Sequence, residues 1–508
     1  ILIMENQELE KRKQKIKKFI DENLILIGLM TLVTIIYLYY FFKLGNQPIW
    51  WDEGDYLAIA KVWAINMPTP EWWVGFTGMR PLFIPLFWSI LMKIGFGEAG
   101  LRFFTELLPA LGTIFLTYIL GKELFNKKIG LIAASTISFN WVFMFYTFRL
   151  LMDLPSVFFG TLALTLFWIG YEKRKNKWGL WLAIVAGVLS FLCRYSSIFI
   201  LGSIAIYLII TRNLKLFKDK NIWIAGIIGI LCLSPMFLFY YLTQGNIFPA
   251  LSVYHGVEST AIDRPLGLYT ITETLPQFLT TIPFILFLIG LIISIQFLLY
   301  IDLILTKNKK QGRNYLYLFI ISIVFPLYLV FGIRVADARY YITYSPQLFI
   351  CVALGMSFLG DKLKPFLPDK KYLNLILIFF CAFIMYNQLG YANNFIINKF
   401  GSYGEIQEAG LWLKENTPED AKIITASIVQ NQYYSERDSY DFYTKSGHNE
   451  TEFNEFVKEI NPDYFIIHGF EPAFTPQWAY DYPQRNNLTP IVAFGPQNQP
   501  RAIIYKFP

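Results

Sequence analysis

The sequence predicts a polytopic α-helical membrane protein with a small C-terminal α/β domain. Of its 508 residues, 55% are hydrophobic and only 16% are charged. A soluble domain carries roughly one quarter charged residues, and the mean hydropathy here is +0.41. Apolar runs of about 20 residues, enough to cross a hydrocarbon core of about 30 Å, recur along the chain. Short basic loops separate them. The net charge of +7 sits in those loops, which is the pattern of cytoplasmic retention and excludes a nucleic-acid-binding reading.

The first span is expected at 24–42, after a basic N-terminal stretch from Lys11 to Lys18. It is too long for a signal-peptide core and lacks a small-residue cleavage site, so the N-terminus is expected to be cytoplasmic. Further spans are expected at 100–121, 129–147, 155–171, 178–193, 196–211, 221–243, 276–300, 315–333, 340–359 and 372–391, about eleven in all by this length criterion. The loops 122–128, 172–177, 211–220, 306–313 and 361–371 carry excess Lys or Arg and should share one side. Parity then decides the segment 81–95. If it crossed, the basic loops would fall outside, so it is expected to lie in the outer interface. The first outer loop, 43–99, belongs to the transmembrane domain, 1–391. The four cysteines lie inside apolar runs and form no CxxC pair, so a thiol metal site or disulfide framework is not indicated.

From about residue 392 the composition becomes polar. Strand-like runs at 422–426, 464–467, 491–494 and 502–505 alternate with helical patterns at 403–415 and 450–460. That alternation predicts an extracytoplasmic α/β domain over 392–508. A multi-pass protein of the cell membrane is the expected setting.

Ionisable residues at the ends of membrane helices are costly and mark function. On this topology they collect at the outer face. Trp50-Trp51-Asp52-Glu53-Gly54-Asp55-Tyr56 places three carboxylates among aromatics directly after the first span. Arg80, Arg102, Glu106, Arg149, Asp153, the Arg194-Tyr195 turn, His255, Arg264, Arg334, Asp337 and Arg339 with Tyr340 fall on the same side. Carboxylates and guanidiniums converging there suit a ligand with an anionic head and a lipid tail. Structural roles compete. Asp52 and Asp55 can cap the following helix, Arg149–Asp153 and Arg102–Glu106 have the i,i+4 spacing of ordinary ion pairs, and Arg194 can snorkel. His255 is a lone imidazole, and with His448 and His468 it forms no metal-ligand spacing.

The ordered set Trp51-Asp52-Glu53-Gly54-Asp55-Tyr56, Arg80-Pro81-Leu82-Phe83, Phe96-Gly97-Glu98 leading to Arg102, Arg149-x-x-x-Asp153 and Arg339-Tyr340-Tyr341 with Pro346 resembles the GT-C membrane glycosyltransferases. Within them it is similar to the protein mannosyltransferase and aminoarabinose transferase branch, over roughly 24–200 and more loosely 315–360. That family often has His-Pro where this chain has Arg80-Pro81. The resemblance implies an inverting transfer of a sugar from a polyprenyl-phosphate carrier, such as dolichyl phosphate, to a glycan, lipid or protein acceptor at the outer membrane face. Asp52 is then the expected base, Glu53 a support for the acceptor or loop, and Asp153 a second acid near the sugar. The phosphate and substrate candidates are Arg80, Arg149, Arg194, Tyr195, His255, Arg334, Arg339 and Tyr340. A divalent cation such as Mg or Mn, held by Asp52 and Asp153, is compatible with this set. A lipid-linked glycan polymerase or ligase is the neighbouring alternative. A transporter should show internal repeats and midplane charges, which are not evident.

Overall fold

The computed structural model describes residues 2–67, 80–249, 267–298, 310–333, 337–442, 449–470, 472 and 475–508. Among them, eight helices are long and apolar enough to cross a membrane, and one further bent pair makes a ninth. Helix α1 (Leu2–Lys43) leads into α2 (Trp51–Ile65), which carries the acidic stretch, and then α3 (Phe83–Lys93). The bundle continues with α4 (Glu98–Leu124), α5 (Lys127–Ser138), α6 (Trp141–Tyr146), α7 (Asp153–Lys173), α8 (Lys177–Cys193), α9 (Tyr195–Lys218) and α10 (Lys220–Gln244). After them come α11 (Thr270–Leu279), α12 (Thr281–Leu298), α13 (Gly312–Gly332), α14 (Ala338–Phe366) and α15 (Lys370–Lys399). Helix α3 has 11 residues, about 17 Å of rise. It is too short to cross, as parity requires.

The expected spans at 129–147 and 178–193 are shorter than full membrane helices. The first is broken into α5 and α6, whose N-cap Asn140 accepts from the Phe143 amide. The second, α8, has 17 residues, about 26 Å. A second break, of 117°, separates α11 from α12 at Thr280, which has φ +64°. Breaks at membrane depth free backbone groups that lipid cannot satisfy, and here the two breaks satisfy each other. Asn140 Nδ2 donates to the Phe278 carbonyl at 2.7 Å, and Trp141 Nε1 to that of Gln277 at 2.9 Å. Gln388 of α15 completes the patch. Its amide donates to the Leu279 carbonyl at 3.1 Å and to Thr280 Oγ1 at 2.6 Å, while its oxygen accepts from the Trp141 amide.

Helix α15 runs on to Lys399, because Asn393, where the sequence turns polar, takes the Tyr40 hydroxyl at 2.6 Å. The next helix after it starts at Gly404. The C-terminal domain contains α16 (Gly404–Asn416), β1 (Lys422–Thr425), α17 (Ile428–Ser435), β2 (Asp438–Tyr440), α18 (Glu450–Ile460), β3 (Tyr464–His468), α19 (Gln477–Arg485), β4 (Thr489–Phe494) and β5 (Ala502–Lys506). The sheet order is β2-β1-β3-β5-β4. β2, β1 and β3 are parallel, and β5 and β4 add antiparallel. Side chains alternate across strands, which gives the sheet two cores. Ile423, Ile466 and Ile504 face α16, whereas Ile424, Phe465 and Ile467 join Phe453, Phe456 and Tyr482 on the other side.

His468 at the end of β3 is 3% exposed. Its Nδ1 accepts from the Phe470 amide at 3.4 Å, and burial lowers its pKa to about 4. In an unfolded chain the imidazole titrates near 6.5, so between about pH 6.5 and 4 the unfolded state binds the proton that the folded state refuses. Stability is thus expected to be flat above pH 6.5 and to fall by up to about 3 kcal/mol as pH drops to 4. Hydrogen exchange of the Phe465 and Ile466 amides checks this. His468→Gln should remove the acid-dependent loss of protection, and an unchanged profile refutes the assignment.

Candidate active site

The acidic helix α2 follows directly on the first span, and its first turn sorts neighbouring acids into different roles. Glu53 is fully buried. Its Oε2 accepts from the Trp50 amide at 2.7 Å, the reach-back half of a capping box. Its Oε1 accepts from the Leu150 amide at 2.6 Å, and Arg149 Nη1 lies 3.2 Å from Oε2. Arg149 also donates to the Pro48 carbonyl at 3.0 Å and to that of Lys399 at 3.3 Å, with its guanidinium 4.2 Å from the Trp50 ring centroid. Capping therefore falls to Glu53 rather than to Asp52 or Asp55. Arg149, at 1% exposure, is a buried strut that ties α2 to the 148–152 segment and to α15. It does not pair with Asp153, and the geometry gives it no open face for a phosphate.

One residue earlier, successive side chains of a helix point about 100° apart, and Asp52 faces another way. Its Oδ2 accepts from Arg339 Nη1 at 2.6 Å, and its Oδ1 lies 3.9 Å from Arg80. Its side chain is 40% exposed, against none for Glu53, Asp55 or Asp153. Arg339, at the start of α14, also donates from Nε to Asp153 Oδ2 at 2.9 Å. Asp153 opens α7 and makes a second ion pair with Arg194. The guanidinium of Arg339 thus bridges Asp52 and Asp153 across 287 and 186 residues of sequence. Asp55, one turn along α2, lies 2.6 Å from Arg80 Nε. Burial pushes the Asp55 carboxyl up to about 7 against the pull of Arg80. Burial acts in the same direction on Asp52, but the charges of Arg339 and Arg80 outweigh it and hold that group below the usual carboxylate range.

The structure therefore brings together Asp52, Arg80, Asp153, Arg194 and Arg339 from the expected set. Tyr340 lies beneath Arg194, ring to guanidinium 5.3 Å. The Tyr195 hydroxyl meets that of Tyr240 at 2.9 Å, and Tyr240 donates to the Arg80 carbonyl at 2.6 Å. His255 and Arg334, with Arg264 and His448, lie outside the described residues. The expected Arg102–Glu106 pair does not form. A π turn at Phe103–Leu107 alters the spacing, and Arg102 instead lies 3.9 Å from Glu98 and donates to the Gly45 carbonyl at 3.2 Å. Sequence reasoning passed over Tyr56 and Tyr146, whose rings lie 5.4 Å from Arg80 and 5.2 Å from Arg339. Tyr56 closes the acidic stretch, which is its local signal, whereas nothing near Tyr146 sets it apart from the other tyrosines of the chain, 32 in all.

An apolar groove of 520 Å³ opens beside this cluster. Trp63, Leu82, Phe83, Leu189, Met236 and Phe239 are among its walls. Leu82 is two residues from Arg80, Leu192 is two from Arg194, and Phe239 precedes Tyr240, whose hydroxyl donates to the Arg80 carbonyl, so the groove is walled by the segments that carry these guanidiniums. The Arg339 guanidinium stands between the Asp52 and Asp153 carboxylates, and among the described residues no three or more His, Cys, Asp or Glu side chains are grouped so as to hold a metal ion.

The back of α2 rests on the C-terminal domain. All eight residues of α17 are buried. A Cβ placed on Gly54 would come within 3.1 Å of the Gln430 backbone nitrogen, so a larger residue there requires α17 to give by a few tenths of an ångström. The Ile49 amide donates to the Tyr434 hydroxyl at 3.0 Å, and Lys61 donates to the Tyr433 carbonyl and pairs with Glu436, each at 2.7 Å.

Residues 79–239 match the family model of the dolichyl-phosphate-mannose-protein mannosyltransferases. The chain superposes on ArnT of Cupriavidus metallidurans bound to undecaprenyl phosphate with a TM-score of 0.62, covering 94% of this chain and 97% of that one at 9% identity. The fold is that of the GT-C membrane glycosyltransferases. Two further solved structures are similar. The oligosaccharyltransferase AglB of Archaeoglobus fulgidus, in complex with an inhibitory peptide and a dolichol-phosphate, gives a TM-score of 0.59, 15% identity and coverage of 88% and 70%. The mycobacterial arabinofuranosyltransferase AftD gives 0.55, 13%, 94% and 39%. An uncharacterized protein of Aquifex aeolicus (strain VF5) is 27% identical over 250 residues, 45% of this chain. The match spans about half the length of that curated relative.

Proposed function

We propose that this GT-C chain is an inverting glycosyltransferase that moves a sugar from a polyprenyl-phosphate carrier to an acceptor hydroxyl at the outer membrane face. The observation that carries the reading is Arg339, bridging Asp52 and Asp153 beside Arg80 and Arg194, whose segments wall the apolar groove. The prenyl tail lies in the groove and its phosphate meets the guanidiniums. Phosphate then competes with Asp52 for Arg339 and Arg80, the two charges that hold the carboxylate acidic. Freed of them, Asp52 becomes a stronger base in the donor complex than in the empty site. It takes the acceptor O–H proton as the oxygen attacks the anomeric carbon. The bond from that carbon to the phosphate oxygen breaks, the electron pair leaves with the phosphate, and the arginines stabilise its charge. Asp153 keeps Arg194 and Arg339 in place.

Among the described residues, the basic loops 122–128, 172–177 and 211–220 gather at the far end of the same helices, which supports a cytoplasmic N-terminus. Incubation of the purified chain with a polyprenyl-phosphate sugar should release polyprenyl phosphate. No release with any such donor defeats the proposal. Leu189→Trp, which fills the groove, is expected to raise KM for the carrier about tenfold or more with kcat little changed, since it touches only the tail. An equal loss in kcat alone would put the tail elsewhere. Because the carboxylates are held by arginines, turnover is expected to survive EDTA. A chelator-sensitive rate restored by Mg or Mn overturns that expectation.

A further inference from the structure

A second cluster of charged side chains lies at the opposite end of the bundle. Helix α7 begins at Asp153 and carries Glu172 nineteen residues later, about 28 Å away at helical rise. Around Glu172 the ends of α7, α9, α10 and α13 frame an open cavity of 660 Å³ whose walls include Lys175, Arg212, Lys215, Lys218, Asp219 and Arg313. Five cations thus face one lining carboxylate, with Glu172 beneath them. Both acids are already engaged. Glu172 takes Arg212 at 3.2 Å, Arg313 at 3.0 Å and Lys175 at 3.5 Å. Asp219 accepts from the Tyr171 hydroxyl at 2.7 Å and the Asn221 amide at 3.0 Å. The remaining charge on the cavity wall is positive.

The turn that carries two of the lysines also fixes the cavity's depth. Between and beside Lys215 and Lys218, Leu214 is 79% exposed and Phe217 62%. Trp223, 60% exposed, donates its indole N–H to the Phe217 carbonyl at 2.9 Å. Large exposed apolar groups interleaved with lysines are stable at the boundary of acyl chains and headgroups, so the cavity lies at the level of lipid phosphates. We propose that this cavity binds the phosphate headgroup of an anionic glycerophospholipid, in the leaflet facing away from Asp52. Arg212 and Arg313 form the floor, Lys215 and Lys218 close over the phosphate, and Leu214 and Phe217 rest against the acyl chains. The site stands whether or not the transferase reading is correct.

The test uses the purified full chain in detergent, with native mass spectrometry counting retained lipid and thermal melting in parallel. Dioleoyl phosphatidylglycerol should be retained and raise the melting temperature, while dioleoyl phosphatidylcholine and inorganic phosphate alone should not. Lys215 and Lys218 are exposed, so the K215Q/K218Q pair should fold normally. It is expected to weaken phosphatidylglycerol retention roughly tenfold to thirtyfold, each basic residue contributing a factor of about five at an anionic surface. K215R/K218R should retain it. Equal retention of the two lipids, or unchanged retention by K215Q/K218Q, overturns the proposal. Stabilisation by inorganic phosphate equal to that by phosphatidylglycerol overturns it in favour of a soluble anion.

Discussion

Asp52→Asn is expected to lower sugar transfer by a factor of about 10²–10⁴ while leaving the melting temperature close to wild type. The asparagine keeps the shape of the carboxylate and an oxygen for Arg339, and the side chain is already 40% exposed, so little folding energy rests on its charge. What it loses is the ability to take a proton. The measurement is single-turnover release of polyprenyl phosphate at saturating donor, alongside thermal melting. Undiminished transfer by well-folded Asp52→Asn would remove Asp52 from the base role and leave it as a holder for Arg339.

The neighbouring substitution should do the reverse. Glu53→Ala leaves Arg149 buried without its counter-charge and frees the amides of Trp50 and Leu150. Breaking one side of a buried pair costs about 3–5 kcal/mol, so a large drop in thermal midpoint is expected, with activity lost as folded protein is lost. Arg149→Met added to Glu53→Ala should recover part of that stability, since the uncompensated charge is gone. If the double variant melts no higher than Glu53→Ala alone, the cost comes from the amides instead of the ion pair. Together, the two adjacent acids are expected to separate chemistry from architecture: one variant keeps its stability and loses turnover, and the other loses stability.

That separation marks the boundary of what the sequence makes legible. Charge in an apolar chain is conspicuous, and the membrane restricts where it can go, so the convergence of Asp52, Arg80, Asp153, Arg194 and Arg339 could be read from parity and composition. Which acid meets which arginine could not be read. Asp52 and Glu53 have the same flanks, and only the rotation per residue of α2 sends one to Arg339 and the other to Arg149. Arg149 and Asp153 have the spacing of a local pair, yet each finds a partner far away in sequence because backbone carbonyls and other guanidiniums compete for them. In the C-terminal domain, β1, β3, β4 and β5 announce themselves by apolar runs, and α18 by its spacing. Helix α17 escapes because its middle reads Gln430-Asn431-Gln432, polar residues buried against α2 and β2 rather than exposed.

The contact between α17 and the acidic helix has a consequence in time. The Ile49 amide and the Tyr434 hydroxyl that bind each other are 385 residues apart. At a synthesis rate of about 5–20 residues per second, the second emerges roughly 20–75 s after the first. Through that interval α2 has Arg149 to hold its first turn but nothing behind Gly54. Its final position is set only when the last fifth of the chain has been made and folded against it. Maturation of the nascent chain is therefore the step that arms the acidic loop, long after its own residues have left the ribosome.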